Sequence, residues 1–351
     1  MKISVRIPAT SANLGPGFDC VGLALDLWNE FELSFAASET TRDYKHIEIS
    51  VDIIGEGAGR LPRTKAHLVA QVMLKELEHL QCPAPTIMHL VCRNNVPAGS
   101  GLGSSSTAVL GGLMLANRIQ DWGSGMKDEE LGTRDSKDLQ SLTPNSQPPI
   151  LNRAIELEGH GDNVAPAYLG GLIVVSPTAP MGSHDYLTQR IAIAPQKVVV
   201  CVPDFHFLTS TARAAVPQQF SRSDMIFNIG RAILVIEALR NADYALLGRA
   251  MDDRLHEPYR LPLIPGAVAA KAAALAQGAS AVAMSGAGPG LIAFTTINHH
   301  AIGAAFVAAF AEANLNARYW VLDTLEHGAT VEMTNYNTSA KNQTLEAILG
   351  R

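Results

Sequence analysis

The chain has 351 residues, which at about 100–200 residues per domain makes one large or two medium domains, each able to bury a sizeable core. Hydrophobic residues make up 47% and charged residues 17%, below the roughly 25% charged of an average soluble domain, and this excludes wholesale disorder. The 27 basic and 33 acidic side chains leave a net charge of −6 with no dense basic run, which argues against a nucleic-acid backbone as partner.

The opening Met1-Lys2-Ile3-Ser4-Val5-Arg6-Ile7-Pro8 alternates polar and apolar like a strand and lacks the apolar core of a signal peptide. Alternating runs predict strands over 3–7, 21–27, 30–35 and 47–54, an antiparallel start. The period changes over 65–80, where Val69, Val72, Met73, Leu77 and Leu80 share one helical face. A strand at 86–92 leads into the loop Arg93 to Gly103, and a helix follows over 104–119, in which Gly111 and Gly112 permit close packing. From Asp121 to Pro149 the chain turns polar and aperiodic, a surface excursion. Helices over 150–158 and 163–169 and a buried strand over 172–176 close a first domain. The second half offers strands at 189–194, 197–202, 280–284, 291–295 and 318–322, with helices near 222–240, 244–254, 265–277 and 300–313. The interleaving indicates a mixed α and β class. No stretch reaches the roughly 18 apolar residues of a membrane span. Cys20, Cys82, Cys92 and Cys201 include no C-x-x-C pair, so reduced thiols in a soluble cytoplasmic protein are expected.

The most informative segment is Pro97-Ala98-Gly99-Ser100-Gly101-Leu102-Gly103-Ser104-Ser105-Ser106-Thr107, between a predicted strand and a predicted helix. Three glycines let the backbone aim N–H groups into one concavity, and the helix adds its positive N-terminus, which is phosphate-binding chemistry. No lysine follows the glycines as a Walker A loop requires, so the serines must act at the metal or the phosphate. The bland alternative is a turn with Ser104 as an ordinary N-cap. A second run, Ser285-Gly286-Ala287-Gly288-Pro289-Gly290, is not a dinucleotide fingerprint, because Pro289 and the strand-like Leu291-Ile292-Ala293-Phe294 follow where a helix is needed. It reads as a tight strand-to-strand turn, although two Gly-rich turns can face one nucleotide. Two further clusters are polar beyond what packing needs: Pro8 to Asp19, with Asn13, and Glu158 to Pro166, with His160, Asp162 and Asn163. Taken alone, Asp162 reads as a helix cap and His160 as a loop histidine.

In this order the four segments resemble the small-molecule kinase superfamily that contains galactokinase, homoserine kinase, mevalonate kinase and phosphomevalonate kinase, from about Ile3 to about Leu325. Gly101-Leu102-Gly103-Ser104-Ser105 carries its central signature. Within it, Ser11 to Asp19, His160-x-Asp162-Asn163 and Glu257-Pro258-Tyr259-Arg260 are similar specifically to homoserine kinase. The resemblance implies a two-domain α+β fold: a ribosomal-protein-like α/β domain over 1–178 that binds ATP, a ferredoxin-like domain over 179–335, and a tail over 336–351. It implies transfer of the ATP γ-phosphoryl group to the side-chain hydroxyl of L-homoserine, in threonine biosynthesis, with ATP and Mg²⁺ as cofactors. Neither nucleic acid nor membrane is an implied partner, and a homodimer is compatible with it.

By the same resemblance the loop Pro97 to Thr107 wraps the phosphates, and Ser105 and Glu158 are the Mg²⁺ partners. Asp19 takes the substrate ammonium, Arg213 and Arg260 its carboxylate with help from Thr209, and Asn13, His160 and Asn163 line the hydroxyl end. Seen alone, either arginine reads as a surface or interdomain ion pair. Ser105, Glu158, Asp162 and Asn163 form the catalytic set, with no clear base: Asn163 cannot be one, and Asp162 is the fallback. A loose transition state needs alignment and charge stabilisation more than early deprotonation. The chain departs from the pattern in its long 121–149 link, in His67 where many relatives have an Asn near the adenine, and in Gly161 where a Pro is common. Three rivals stay open: a kinase for mevalonate or a sugar, a non-catalytic ligand sensor, and, weakened by the failed fingerprint, a nicotinamide enzyme.

Overall fold

The alternating N-terminal residues form β1 (Lys2–Ala12), which runs antiparallel along the length of β2 (Val21–Phe35). The two strands expected over 21–27 and 30–35 are thus one, and the apparent gap is a break in register between Pro8 and Ala9. Pro8 faces Trp28 while Ala9 faces Leu25, so Asp26 and Leu27 leave the ladder beside a residue that has no N–H to give. The structure is a computed structural model, and it describes residues 1–36, 39–124, 149–178 and 185–334. Most of the expected 121–149 excursion and the whole 336–351 tail lie outside the described residues.

Next come β3 (Thr40–Thr41), β4 (Glu48–Gly55), α1 (Leu68–His79), β5 (Ala84–Pro85), β6 (Ile87–Asn94) and α2 (Ser104–Gly123). They are followed by α3 (Pro149–Glu158), α4 (Val164–Leu169), β7 (Leu172–Pro177) and β8 (Tyr186–Ile191). β6 lies between β2 and β4, antiparallel to the first and parallel to the second. Val69, Val72, Met73 and Leu77 give α1 its buried face, and α1 packs on α2 at Gly112. A Cβ at Gly112 would sit 2.7 Å from the Val69 carbonyl oxygen, so only glycine allows this approach.

The second unit begins at β9 (Lys197–Pro203) and continues through α5 (Thr209–Ala214), α6 (Arg222–Asn241), α7 (Tyr244–Ala250), α8 (Glu257–Arg260) and α9 (Ala267–Ala276). It ends with β10 (Ala281–Met284), β11 (Leu291–Phe294), α10 (His299–Glu312) and β12 (Ala317–Asp323), after which β13 (Thr330–Thr334) follows. Its sheet is antiparallel in the order β10-β11-β9-β12, the split βαβ arrangement expected of a ferredoxin-like domain. Val199 and Cys201 face α9 and α10 on one side of that sheet. Val198, Val200 and Val202 face the other way, in one cluster with α6, α7 and Ala9, Leu23 and Leu102 of the first unit. A continuous core therefore joins the two units, and each fully buried aliphatic side chain in it contributes about 1.5–3 kcal/mol.

Sheet membership divides the chain differently from the expected 178/179 boundary. β8 pairs with β7 and β13 returns to pair with β1, so both close the seven-stranded first sheet.

Candidate active site

The loop from Pro97 to Gly103 leaves β6 and enters α2, with Gly99, Gly101 and Gly103 all in the left-handed region. Gly101 and Gly103 are also sterically obligatory, since a Cβ would lie 2.1 Å from the Ser285 carbonyl oxygen and 2.1 Å from Thr10 Oγ1 respectively. The N-cap of the 20-residue α2 is Gly103, which gives no side-chain cap, and no acidic residue stands in the first turn. Ser104 is thus not the N-cap, and the first-turn amides stay available to an anion.

The turn at 285–290 joins β10 to β11 as a hairpin connection, and it also rests on this loop. The Ser285 hydroxyl lies 2.8 Å from the Gly101 carbonyl and 2.9 Å from the Ser11 hydroxyl, and the Gly290 N–H donates to the Ser100 carbonyl at 3.1 Å. Asn13, with φ near +70°, donates from Nδ2 to the Gly286 carbonyl at 2.6 Å and accepts from the Asp19 N–H at 2.9 Å. The three polar loops that the sequence singled out separately are therefore bonded to one another.

Together with 158–163 they line a cleft of about 100 Å³. Its wall holds Asn13, Asp19, Ser105, Glu158, His160, Asp162, Asn163, Thr209, Arg213 and Arg260, together with Gly99, Ser100, Gly101, Gly103, Ser104 and Ser106. Of the loop residues, Pro97, Ala98, Leu102 and Thr107 are not in the wall. Leu102 belongs to the core, and Thr107 accepts from Asn29 while donating to the Ser104 carbonyl.

At one part of the wall the Ser105 hydroxyl donates to Glu158 Oε1 at 2.6 Å and the Ser106 hydroxyl reaches Oε2 at 3.3 Å. His160 Nδ1 is 2.9 Å from Asp162 Oδ1, and Thr10 Oγ1 donates to Asn163 Oδ1 at 2.8 Å. Asp162 caps no helix: the N-cap of α4 is Asn163. Burial works against a charge on His160, but the hydrogen bond and charge of Asp162, with the charge of Glu158, outweigh it and raise the imidazole above its ordinary value.

At another part, Arg213 forms a two-pronged pair with Asp19, at 3.1 Å for each nitrogen. Both side chains are over a third exposed, so this pair contributes little stability and opens at little cost. Arg260 is different. It is buried, lies over the Phe18 ring at 4.9 Å, donates from Nε to the Ala212 carbonyl at 2.9 Å, and makes no ion pair among the described residues. Burial pulls its pKa down, against the charge of Asp19.

A supporting cluster, of which the sequence singled out only Glu257, holds Arg260 and the 13–19 loop in place. Asp253 accepts from the His256 and Glu257 N–H groups at the start of α8, and burial, which would raise its pKa, is outweighed by the His256 ring and these amides. His256 stacks on Phe18, lies 2.8 Å from the Gly15 carbonyl through Nε2 and 3.4 Å from an Arg260 nitrogen through Nδ1. Glu257 Oε1 accepts from the Met284 N–H at 2.6 Å and so ties α8 to the 285–290 turn. Asn228 joins this cluster by donating to Asp253 at 2.8 Å and to the Pro16 carbonyl at 3.2 Å. Phe207, Gly286, Ala287 and Gly288 also line the cleft; the last three lie in a run the sequence flagged, whereas nothing marked Phe207, His256 or Asn228.

Ser105 and Glu158 also border a second cavity of about 210 Å³, lined by Leu68, Val72, Val109 and Leu157 with Lys75 and Arg153. His67, one residue before Leu68, is buried, its Nδ1 has no partner, and burial lowers its pKa. Among the described residues no group of three His, Cys, Asp or Glu side chains could hold a metal ion by itself, and no helix is long and apolar enough to cross a membrane.

Two family models match the chain, "GHMP kinases N terminal domain" over residues 66–171 and "GHMP kinases C terminal" over 235–314. A homoserine kinase of Trichormus variabilis is 36% identical over 332 residues, covering 94% of this chain and 98% of that protein. One of Gloeobacter violaceus is 42% identical over 296 residues, covering 84% and 88%. Among solved structures, the homoserine kinase of Cytophaga hutchinsonii superposes with a TM-score of 0.73 at 28% identity, covering 94% of this chain and 97% of that one. A mevalonate kinase of L. major, at 15% identity and a TM-score of 0.59, shares the fold.

Proposed function

The chain belongs to the homoserine kinases of the GHMP kinase family, and on that premise we propose how its residues share the transfer of the ATP γ-phosphoryl group to the side-chain hydroxyl of L-homoserine. The product is O-phospho-L-homoserine, an intermediate of threonine biosynthesis. The observation that carries the assignment of roles is that one cleft is lined both by an uncapped helix N-terminus with its glycine loop and by Asp19, Arg213 and Arg260.

Backbone amides of Gly99 to Ser106 and the start of α2 hold the phosphates without a lysine. Ser105 and Glu158, two hard oxygen donors already within 2.6 Å of each other, fit Mg²⁺, which takes one or two carboxylates plus substrate phosphates in place of a protein cage. When bound, Mg²⁺ offsets the phosphate charge. The nucleoside occupies the second cavity, against Leu68, Val72 and Val109.

Homoserine enters as a zwitterion between two groups that pair with each other in its absence. Its ammonium replaces Arg213 at Asp19 and its carboxylate replaces Asp19 at Arg213, so each charge exchanges one partner for another. Arg260, buried with no carboxylate of its own, takes the second carboxylate oxygen, and Thr209 adds a hydroxyl. The hydroxyl end lies against His160 and Asn163. Asn13 spends its amide mainly on fixing Asp19 and the 286 carbonyl, so it positions the site. Asp162 holds the His160 ring and the Asn163 amide in place. Alignment and charge stabilisation drive the transfer, and the hydroxyl proton leaves late, to phosphate or water. A cytoplasmic location fits four cysteines that are all unpaired.

An ADP-release assay across homoserine, mevalonate, galactose, serine and threonine tests the reading. Homoserine should give by far the highest kcat/KM; a preference for mevalonate or galactose would remove the roles given to Asp19, Arg213 and Arg260.

A further inference from the structure

Beneath the glycine-serine loop lies a buried polar side chain that lines neither cavity. Asn29 of β2 is 2% exposed and stands one residue past the last pair of the β2–β6 ladder, Glu30 with Arg93. Its side-chain amide continues the pairing where the backbone ladder stops: Oδ1 accepts from the Asn95 N–H at 2.9 Å and from the Val96 N–H at 3.0 Å. Those two groups lead straight into the loop at Pro97. On its other side, Nδ2 donates at 2.8 Å to the hydroxyl of the fully buried Thr107, which donates in turn to the Ser104 carbonyl at 2.8 Å. Backbone N–H groups only donate, so Oδ1 must face them and Nδ2 must face Thr107, whose own hydrogen is left for the carbonyl. One amide therefore holds both ends of the segment from Pro97 to Ser106.

We propose that Asn29 is a positioning residue for ATP, setting the phosphate loop against the first turn of α2 through the relay from Asn29 to Thr107 to the Ser104 carbonyl. The inference rests on the reading of this loop as the phosphate site. The need for such a support follows from the helix. The first N–H groups of a helix have no partner within it, and a side-chain cap commonly holds them. In α2 the N-cap is Gly103, which offers no side chain, so those amides stay open to an anion. A first turn left open on its ligand side has to be held from its buried side. Thr107 does this at the Ser104 carbonyl, and Asn29 fixes the direction in which the Thr107 hydroxyl points. Gly99, Gly101 and Gly103 lie between the two anchored ends and give the loop little stiffness of its own. A displacement of about 1 Å at the reacting groups is enough to cost on the order of a hundredfold in rate.

Among the described residues, neither Asn29 nor Thr107 bonds to Asp19, Arg213 or Arg260. Loss of the relay is therefore expected at the nucleotide and not at the amino-acid end of the cleft.

Calorimetric titration of the full chain with ATP and Mg²⁺, and separately with homoserine, tests the proposal, with thermal unfolding to show that each variant is folded. Thr107→Val keeps the side-chain shape and removes the hydroxyl; it should weaken ATP binding at least about tenfold and leave homoserine affinity within about twofold. Thr107→Ser keeps the hydroxyl and should stay within about threefold of wild type for both ligands. Asn29→Ala should weaken ATP at least as much as Thr107→Val, and the double variant should be no worse than Asn29→Ala alone, since both changes break one relay. Unchanged ATP affinity in folded Thr107→Val overturns the proposal, as does a loss in Thr107→Ser equal to that in Thr107→Val. Equal losses of ATP and homoserine affinity would show a general structural defect and overturn it too. ATP binding is read without an acceptor, so these outcomes stand apart from the homoserine assignment, and a wild type that binds no ATP rejects the phosphate-site reading and the proposal with it.

Discussion

Replacing Arg260 with leucine should damage one end of the site and spare the rest, because the guanidinium is buried yet has no anion of its own. It is 1% exposed, and its contacts are the Ala212 carbonyl, the His256 ring nitrogen and the Phe18 face. A charge-assisted hydrogen bond to the substrate carboxylate contributes about 1.5–3 kcal/mol, or roughly a tenfold to hundredfold change in affinity. Arg260→Leu should therefore raise the homoserine KM by at least about tenfold and leave the ATP KM within about twofold. The fold should tolerate the change: the Ala212 carbonyl loses a donor, at about 1 kcal/mol, but an unpaired buried cation disappears and leucine still packs on Phe18. Thermal unfolding separates the two effects. Homoserine at about 100 times its Kd should stabilise the wild type by about 2.7 kcal/mol, and at that same concentration should protect Arg260→Leu far less. Lysine at 260 should recover only part of the affinity, since a point charge cannot copy a two-pronged fork. An unchanged homoserine KM in folded Arg260→Leu would refute the assignment.

The other expectations concern the nucleotide side. Gly103→Val places a Cβ within 2.1 Å of Thr10 Oγ1 at a φ of +70°, so a folded variant should lose ATP binding by calorimetry; undiminished affinity would reject this loop as the phosphate site. Glu158→Gln should lower kcat far more than homoserine affinity, with partial recovery at raised Mg²⁺, and wild-type turnover at low Mg²⁺ would point to another ligand. His67 is held neutral by burial, which lowers its pKa from 6.5, so the unfolded chain binds more protons as pH falls through that value and stability falls with it. His67→Asn should remove part of that loss in denaturant titrations between about pH 7 and 5, and an identical pH dependence would contradict the burial argument.

Where chemistry is contiguous in the chain, the sequence was informative. The glycine-serine loop, the 158–163 cluster and the 13–19 loop each carry their own polar excess, and all three line one cleft. Long helices and strands were visible through their periods, but β2 read as two strands because a bulge opposite a proline interrupts alternation without ending the strand. The supporting cluster was illegible for a different reason. His256 and Asn228 are ordinary residues in their local context, and their roles arise from bonds to Gly15 and Pro16, more than 200 positions away, while Asp253 links the two through the Asn228 amide and the N–H groups at the start of α8. The return of β13 to the first sheet is equally silent in a short strand at the end of a domain.

The most direct test of the central claim is the identity of the bond that the reaction makes. In a ³¹P NMR experiment on the enzyme with ATP, Mg²⁺ and L-homoserine, a phosphomonoester resonance should grow in step with ADP and couple to the side-chain methylene protons next to oxygen. ADP formed with inorganic phosphate alone, or a phosphate attached to the substrate carboxyl group, would contradict an account in which Asp19, Arg213 and Arg260 hold the amino-acid end and leave only the hydroxyl to react.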